Sequence, residues 1–332
     1  MKACLITLSF VLHTILSISF AQTCTSAERL FDHPVLATEP VCVPETIERV
    51  AVIDRLSFET LLALGIKPVA SPEGYIRNHQ IDFPYRAESV AGIVDIGSRG
   101  EVNLEALLEA APDVIVASEF EDVSAFDAIA PTVQFRFNHS GEWLEVAALT
   151  AALVGQEEGY ARLLNNYEAR AQALTDALGD SPPVLSVVRV REDHIRLYVT
   201  DSFAGSVIAD AAIPRPDSQD LTYVELAEQF NAQTFYRINR EQLPLADGDI
   251  IVVFYTGSSE DIAQQAEARK AALEGDPLWN SLGAVQNSQV YDVGGYWIGS
   301  SFIAAHEILD DLFELVANVE PTIPNPFIEA TE

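Results

Sequence analysis

Lysine is nearly absent from this chain. Lys2, Lys67 and Lys270 are its only examples among 332 residues, and 19 basic residues face 50 acidic ones, for a formal charge of −31. A surface of that sign repels phosphate backbones and anionic lipids, which excludes nucleic acid and anionic membranes as partners. Carboxylate in such excess keeps a protein soluble, and it makes each arginine conspicuous. Long apolar runs are scarce too: after Phe20 none approaches the roughly 18 residues that a membrane span requires. The histidines beyond the opening segment, His33, His79, His139, His194 and His306, are scattered without ligand spacing, which counts against a bare zinc or manganese site. His306-Glu307 starts like a zinc-protease helix, but Asp310 stands where the second histidine belongs. No phosphate-binding glycine loop and no Gly-x-Ser-x-Gly elbow occurs, so no catalytic residue and no cofactor is expected.

What is present starts with a leader. Met1-Lys2, an apolar stretch from Leu5 to Phe20 and the small-x-small triplet Ser19-Phe20-Ala21 read as a signal peptide over residues 1–21, hence export to a bacterial periplasm. Two cysteines then remain, Cys24 and Cys42, and an even pair in an oxidising compartment suggests a disulfide. Lipid attachment at Cys24 is the competing reading, weakened because Ala21-Gln22-Thr23 lacks the small residues usual before a lipidated cysteine. Asn138-His139-Ser140 fits a glycosylation triplet, of little weight in an apparently bacterial protein.

At this length, with 48% apolar residues, two ordinary domains can each bury a core. A repeat supports two similar halves. Asn103, Glu105, Leu107 and Asp113, followed by Val114-Ile115-Val116, recur at the same offsets as Asn239, Glu241, Leu243 and Asp249, followed by Ile250-Ile251-Val252. Each copy reads as an N-capped short helix feeding a buried strand. Between the copies, Tyr160, Leu163, Leu164, Tyr167, Ala171, Leu174 and Leu178 keep helical spacing through one long amphipathic helix, stopped by Gly179 and Pro182-Pro183. The expected organisation is an arm at 22–48, an α/β lobe at 49–156, the connecting helix at 157–178, a second α/β lobe at 179–318 and a tail at 319–332. Ser71 to Ala91 reads as a long loop.

These segments resemble substrate-binding proteins of ATP-binding-cassette importers for ferric siderophores, haem and cobalamin. The resemblance runs through VIDRLSFETLLALGIKPVA, DIGSRGEVNLEALLEAAPDVIVA, the long helix, INREQLPLADGDIIVVF, DPLWNSLGAVQNSQVYDV and WIGSSFIAAHEILDDL, from about residue 42 to residue 316. SVVRVREDHIRLYVTDSFAGSVIADAAIPRP is similar to the iron-siderophore branch. The resemblance implies two Rossmann-like lobes with central sheets flanked by helices and joined by one long helix. It further implies a monomeric receptor that makes and breaks no bond, takes chelated Fe3+ as its ligand, and delivers it to a permease and, through that, to an ATPase subunit. By the same resemblance, Glu105 and Glu241 dock against permease arginines; each carboxylate would also stabilise its own helix's first turn. Haem or cobalamin as cargo, and a periplasmic enzyme on a two-lobed scaffold, are the alternatives.

In α/β lobes ligands gather beyond the carboxyl ends of the strands. That rule selects Arg55, Arg99, Arg189 and Tyr255, with Arg77 in the long loop and Tyr198, Phe203, Tyr296 and Trp297 as aromatic walls. Guanidinium groups suit the carboxylate, hydroxamate or catecholate oxygens of a ferric chelate, and the iron is held by the chelator, with no metal ligand from the protein. For any one arginine the competing role is a surface ion pair, and Arg191 and Arg196 are read as partners of Glu192 or Asp193. Trp297 has a competing role as a core anchor.

Overall fold

The computed structural model describes residues 23–76, 87–257 and 260–328. The expected leader and Arg77 lie outside the described residues.

The N-terminal arm is a hairpin, which the sequence reading did not anticipate. β1 (Glu28–Phe31) and β2 (Val41–Pro44) pair antiparallel, and Cys24 is bonded to Cys42 across a separation of 18 residues. Closing a loop of that size stabilises a fold by about 3 kcal/mol in the chain-entropy account. The arm is also sewn to the first lobe: Leu36 bridges to Phe135, and the Arg29 guanidinium donates to the Leu153 carbonyl at 2.6 Å.

The first lobe is built on β3 (Val50–Val52), β4 (Ala70–Ser71), β5 (Val94–Asp95), a small hairpin of β6 (Gly97–Ser98) and β7 (Glu101–Val102), then β8 (Val114–Ser118) and β9 (Thr132–Phe135). Its sheet runs β5-β4-β3-β8-β9, all parallel. The second lobe contains β10 (Leu185–Val190), β11 (Ile195–Tyr198), β12 (Phe235–Ile238), β13 (Ile250–Tyr255) and β14 (Val290–Asp292), ordered β12-β11-β10-β13-β14. Here β10, β13 and β14 are parallel, while β11 runs antiparallel to both β10 and β12. In both lobes the strand order reverses at the middle, between β3 and β8 and between β10 and β13. That is where an α/β sheet leaves a crevice beyond its strand ends.

The repeat is a structural one. Asn103 accepts from the amides of Glu105 and Ala106, both at 3.1 Å, and Asn239 accepts from the Gln242 amide at 3.1 Å. Leu107 and Leu243 are buried beneath the two turns. Asp113 accepts from the Glu48 and Arg49 amides at 2.9 and 2.8 Å, and Asp249 accepts from the Val184 amide at 2.8 Å. Each aspartate thus clamps the start of the neighbouring central strand. The helical halves differ: residues Leu104–Glu109 form an α-helix, but Arg240–Ala246 is 3-10. Pro244 lies inside that second segment and has no N–H to donate, which is incompatible with a regular α ladder.

The connecting helix spans Glu157–Leu178, as expected, and ends where Gly179 adopts φ +67°. A separate helix, Trp143–Leu153, precedes it. Trp143 is the hub of the junction: its ring meets the edges of Tyr167, Phe203 and Phe302 at centroid distances of 5.4, 5.5 and 5.0 Å, and its N–H donates to Ser206 at 3.2 Å. One apolar core runs unbroken from Val50, Val52 and Phe135 of the first lobe to Val187, Phe254 and Leu309 of the second. The expected final helix is α over Phe302–Asp311 and finishes as a π turn over Leu312–Ala317. His306 is buried there and accepts from Arg170 of the long helix at 2.7 Å; burial and that guanidinium hold its pKa down at about 3, so it is a neutral packing residue.

Candidate functional site

At the first lobe's crevice, Asp54 follows β3 and caps the helix Arg55–Ala63 by accepting from the Ser57 amide at 2.7 Å. Asp54, Arg55 and Leu56, together with Arg99 from the hairpin, Ser118 from the end of β8 and Phe137 after β9, line a cavity of about 150 Å³. Two of the expected arginines therefore meet. Arg99 is paired with Glu121, and Arg55 lies 3.8 Å from the buried Glu59. Phe120, which is 59% exposed, stands edge-on to Phe137 at 5.6 Å and extends the aromatic rim.

The second lobe presents a denser arrangement. Arg189 of β10 is the register partner of Arg196 of β11, which is the register partner of Arg237 of β12. Direct partners share a sheet face, so three guanidinium side chains stand in a row across three adjacent strands, where like charges repel. None of the three has an ion pair among the described residues. Arg189 is buried and bonds only neutral groups, the Tyr198 hydroxyl at 2.9 Å and the Thr256 hydroxyl. Arg196 lies 4.0 Å over the Phe235 ring and donates to His194 at 2.7 Å. Burial, more than anything else, lowers the Arg196 pKa, and Arg189 and Arg191 lower it further. The same face carries Val187, Tyr198 and Phe254 into the core shared with the first lobe, which sets the row at the junction of the lobes. Beside it opens a hollow of about 680 Å³ lined by Tyr223, Phe230, Phe235, Tyr236 and Arg237. Tyr223 meets His139 of the first lobe at 5.3 Å.

Arg191 pairs with Glu192 at 3.0 Å, as expected, but Asp193 holds His194 and leaves Arg196 to the row. Arg196 and Arg237 are thus additions to the expected set. The four-residue gap between the runs 184–190 and 195–199 is a hairpin signal that sets Arg189 opposite Arg196; nothing in the sequence brings Arg237 alongside. Tyr255 is 38% exposed at the end of β13. Phe203 and Trp297 need correcting. Phe203 packs on Trp143, and the Trp297 indole donates to Asp311 at 2.6 Å with the side chain 1% exposed, so both serve the core. The Tyr296 hydroxyl also donates to Asp311, at 2.8 Å.

Glu105 and Glu241 are exposed in the first turns of their helical segments. The helix after Glu105 ends where the Arg49 guanidinium binds the Ala110 and Ala111 carbonyls, beside the amino end of β3. Its first turn is therefore at the carboxyl end of the sheet. Since β12 and β13 run in the same direction, the segment joining them likewise begins at the carboxyl end, with Glu241.

Buried carboxyls set the pH response. Glu59, 2% exposed, accepts from the Ser300 amide at 3.3 Å, and burial raises it from an ordinary 4.5 to about 7; burial also raises Asp311 to about 6. For an acid raised on folding, stability is fully present below the ordinary value and is lost as pH rises through the folded value. The thermal midpoint is expected to fall between pH 5 and pH 8, and Glu59→Gln is expected to raise the pH 8 midpoint and narrow the difference. A calorimetric pH series checks this; an unchanged difference in the variant would refute the assignment.

Residues 50–296 match the periplasmic binding protein family. Among curated relatives, the chain is 29% identical over 302 residues to the probable siderophore-binding lipoprotein YfiY of Bacillus subtilis, covering 89% of this chain and 90% of that one. It is 28% identical over 279 residues to the achromobactin-binding periplasmic protein of Dickeya dadantii, covering 80% and 85%. Among solved structures, Staphylococcus aureus SirA complexed with staphyloferrin B aligns with a TM-score of 0.71 at 23% identity, over 88% of this chain and 99% of that one. Bacillus subtilis FeuA with ferri-bacillibactin aligns at 0.69 and 21%, with the same coverage. These structures establish the two-lobed α/β fold.

Proposed function

Because this chain belongs to the periplasmic binding protein family, a family of binding proteins and not of enzymes, we propose that it is an exported receptor for a ferric siderophore, which it hands to an ATP-binding-cassette permease. The observation that carries the reading is the row Arg189, Arg196 and Arg237. In a chain with 50 acidic residues these three have no ion pair among the described residues and stand at the lobe junction, beside a hollow of a size suited to a small-molecule arm. Arg55 and Arg99 face the ligand from the first lobe, and Phe120, Phe137, Phe235 and Tyr255 supply apolar rim. Anionic oxygens of a chelate would relieve the repulsion within the row while the iron stays in its chelator. Relatives named for siderophore and achromobactin binding support this cargo. Haem is less well served: the Tyr198 hydroxyl is buried and taken by Arg189. Cys24 spends its sulfur on the disulfide, which favours a periplasmic form over one anchored by lipid at that residue.

Tryptophan fluorescence titrated with ferric hydroxamate, citrate-type and catecholate chelates, and with haem and cobalamin, tests the reading. Submicromolar binding of at least one ferric siderophore is expected. Binding of none would remove the hypothesis.

A further inference from the structure

We propose that Asp54 takes up a proton when the first lobe's cavity receives an anionic oxygen, so that cargo and proton bind together. This rests on the reading of the site as a receptor for anionic ferric chelates. One oxygen of Asp54 is committed to the helix cap on Ser57, while the other, Oδ2, is buried and has no hydrogen-bond partner. The residue is 3% exposed and yet lines the cavity. Among the described residues it faces Arg55 and Glu59 from its own helix, Arg99 from the hairpin, and the hydroxyls of Ser57 and Ser118. Each guanidinium already has a carboxylate of its own, Glu59 for Arg55 and Glu121 for Arg99. Burial accordingly pushes the Asp54 carboxyl up to about 7, with Ser57 and Arg99 opposing.

An anionic chelate oxygen that binds Arg99 and Arg55 screens the positive field that favours the carboxylate. It also adds negative charge inside a space of about 150 Å³. Two acceptors then face each other across the cavity. A proton from solvent on Oδ2 turns that repulsion into a donated hydrogen bond, and no other bond forms or breaks. Asp54 would therefore favour cargo that offers an acceptor oxygen at this point.

The test is calorimetry of the intact protein with the hydroxamate, citrate-type or catecholate ferric chelate that binds in the fluorescence panel, at pH 8 in two buffers of different ionisation enthalpy. Uptake of about one proton per chelate is expected, with affinity falling up to about tenfold per pH unit above that. Asp54→Asn keeps the capping oxygen but carries no charge, so its uptake should vanish and its pH profile flatten, with a thermal midpoint at pH 8 no lower than that of the wild type. The wild-type proton count decides even if the variant misfolds. Tight binding without proton uptake, or uptake that persists in Asp54→Asn, overturns this inference alone; absence of binding by every chelate removes it together with the proposed function.

Discussion

Replacing Arg196 and Arg237 together by glutamine is expected to weaken binding of the ferric chelate by a hundredfold or more while leaving the fold intact. Hydrogen bonds to charged groups contribute about 1.5–3 kcal/mol each, so losing two costs roughly 3–6 kcal/mol, and about 1.4 kcal/mol is already tenfold. The variant separates two explanations of the row. If the arginines were structural, removing like charges from neighbouring strands would leave affinity untouched and raise the thermal midpoint. If they are held for cargo, the midpoint still rises slightly and affinity collapses, because the relief of repulsion now occurs without ligand. Arg196 is stacked on Phe235 and Arg237 is exposed, so neither truncation opens the core. A titration showing less than a threefold loss would return the row to a structural role.

Glu105→Ala with Glu241→Ala should leave chelate affinity unchanged and abolish transport in cells that depend on this receptor for iron. The two carboxylates lie at matching positions of a repeat, at the carboxyl ends of the two sheets, on the same side as the proposed cargo site. A permease presenting two arginine patches would be steered and oriented by such a pair, in a contact more important for encounter than for tightness. First-turn helix stabilisation, at about 0.3–1 kcal/mol for each carboxylate, predicts a small drop in thermal midpoint and normal uptake. Transport in whole cells, scored beside purified-protein binding, tells these apart; uptake at wild-type rate in the double variant would dismiss docking.

Most of the scaffold was legible because its signals are local. The spacing from Tyr160 to Leu178 defines the long helix, and the repeated Asn, Leu and Asp define the two capped turns and the strands after them. Local signals also picked out Arg55 after β3 and Arg99 before the first repeat, though not their meeting at one cavity. The rest depended on register between distant segments. Arg237 joins Arg196 only because β12 pairs with β11 across the 36 residues between Tyr198 and Phe235, and no periodicity encodes that pairing. Phe203 and Trp297 show the opposite failure. Each stands beside a strand end or helix start, as a ligand contact would, but a large ring there gains more from packing on Trp143 or bonding Asp311 than from waiting at a surface. The 3-10 form of Arg240–Ala246 was announced by Pro244, a residue that the matching offsets obscured.

The unbroken core around Trp143 has a consequence for how the molecule comes apart. Two lobes on a hinge of loops can melt one after the other, each a cooperative unit of its own. Here the Trp143 ring touches the long helix, the helix after β11 and the final helix at once, so neither half can lose its structure without stripping apolar cover from the other. The repeat marks two similar halves in architecture, but in folding they are one object. Denaturation should therefore run as a single transition, and neither half should persist as a folded fragment.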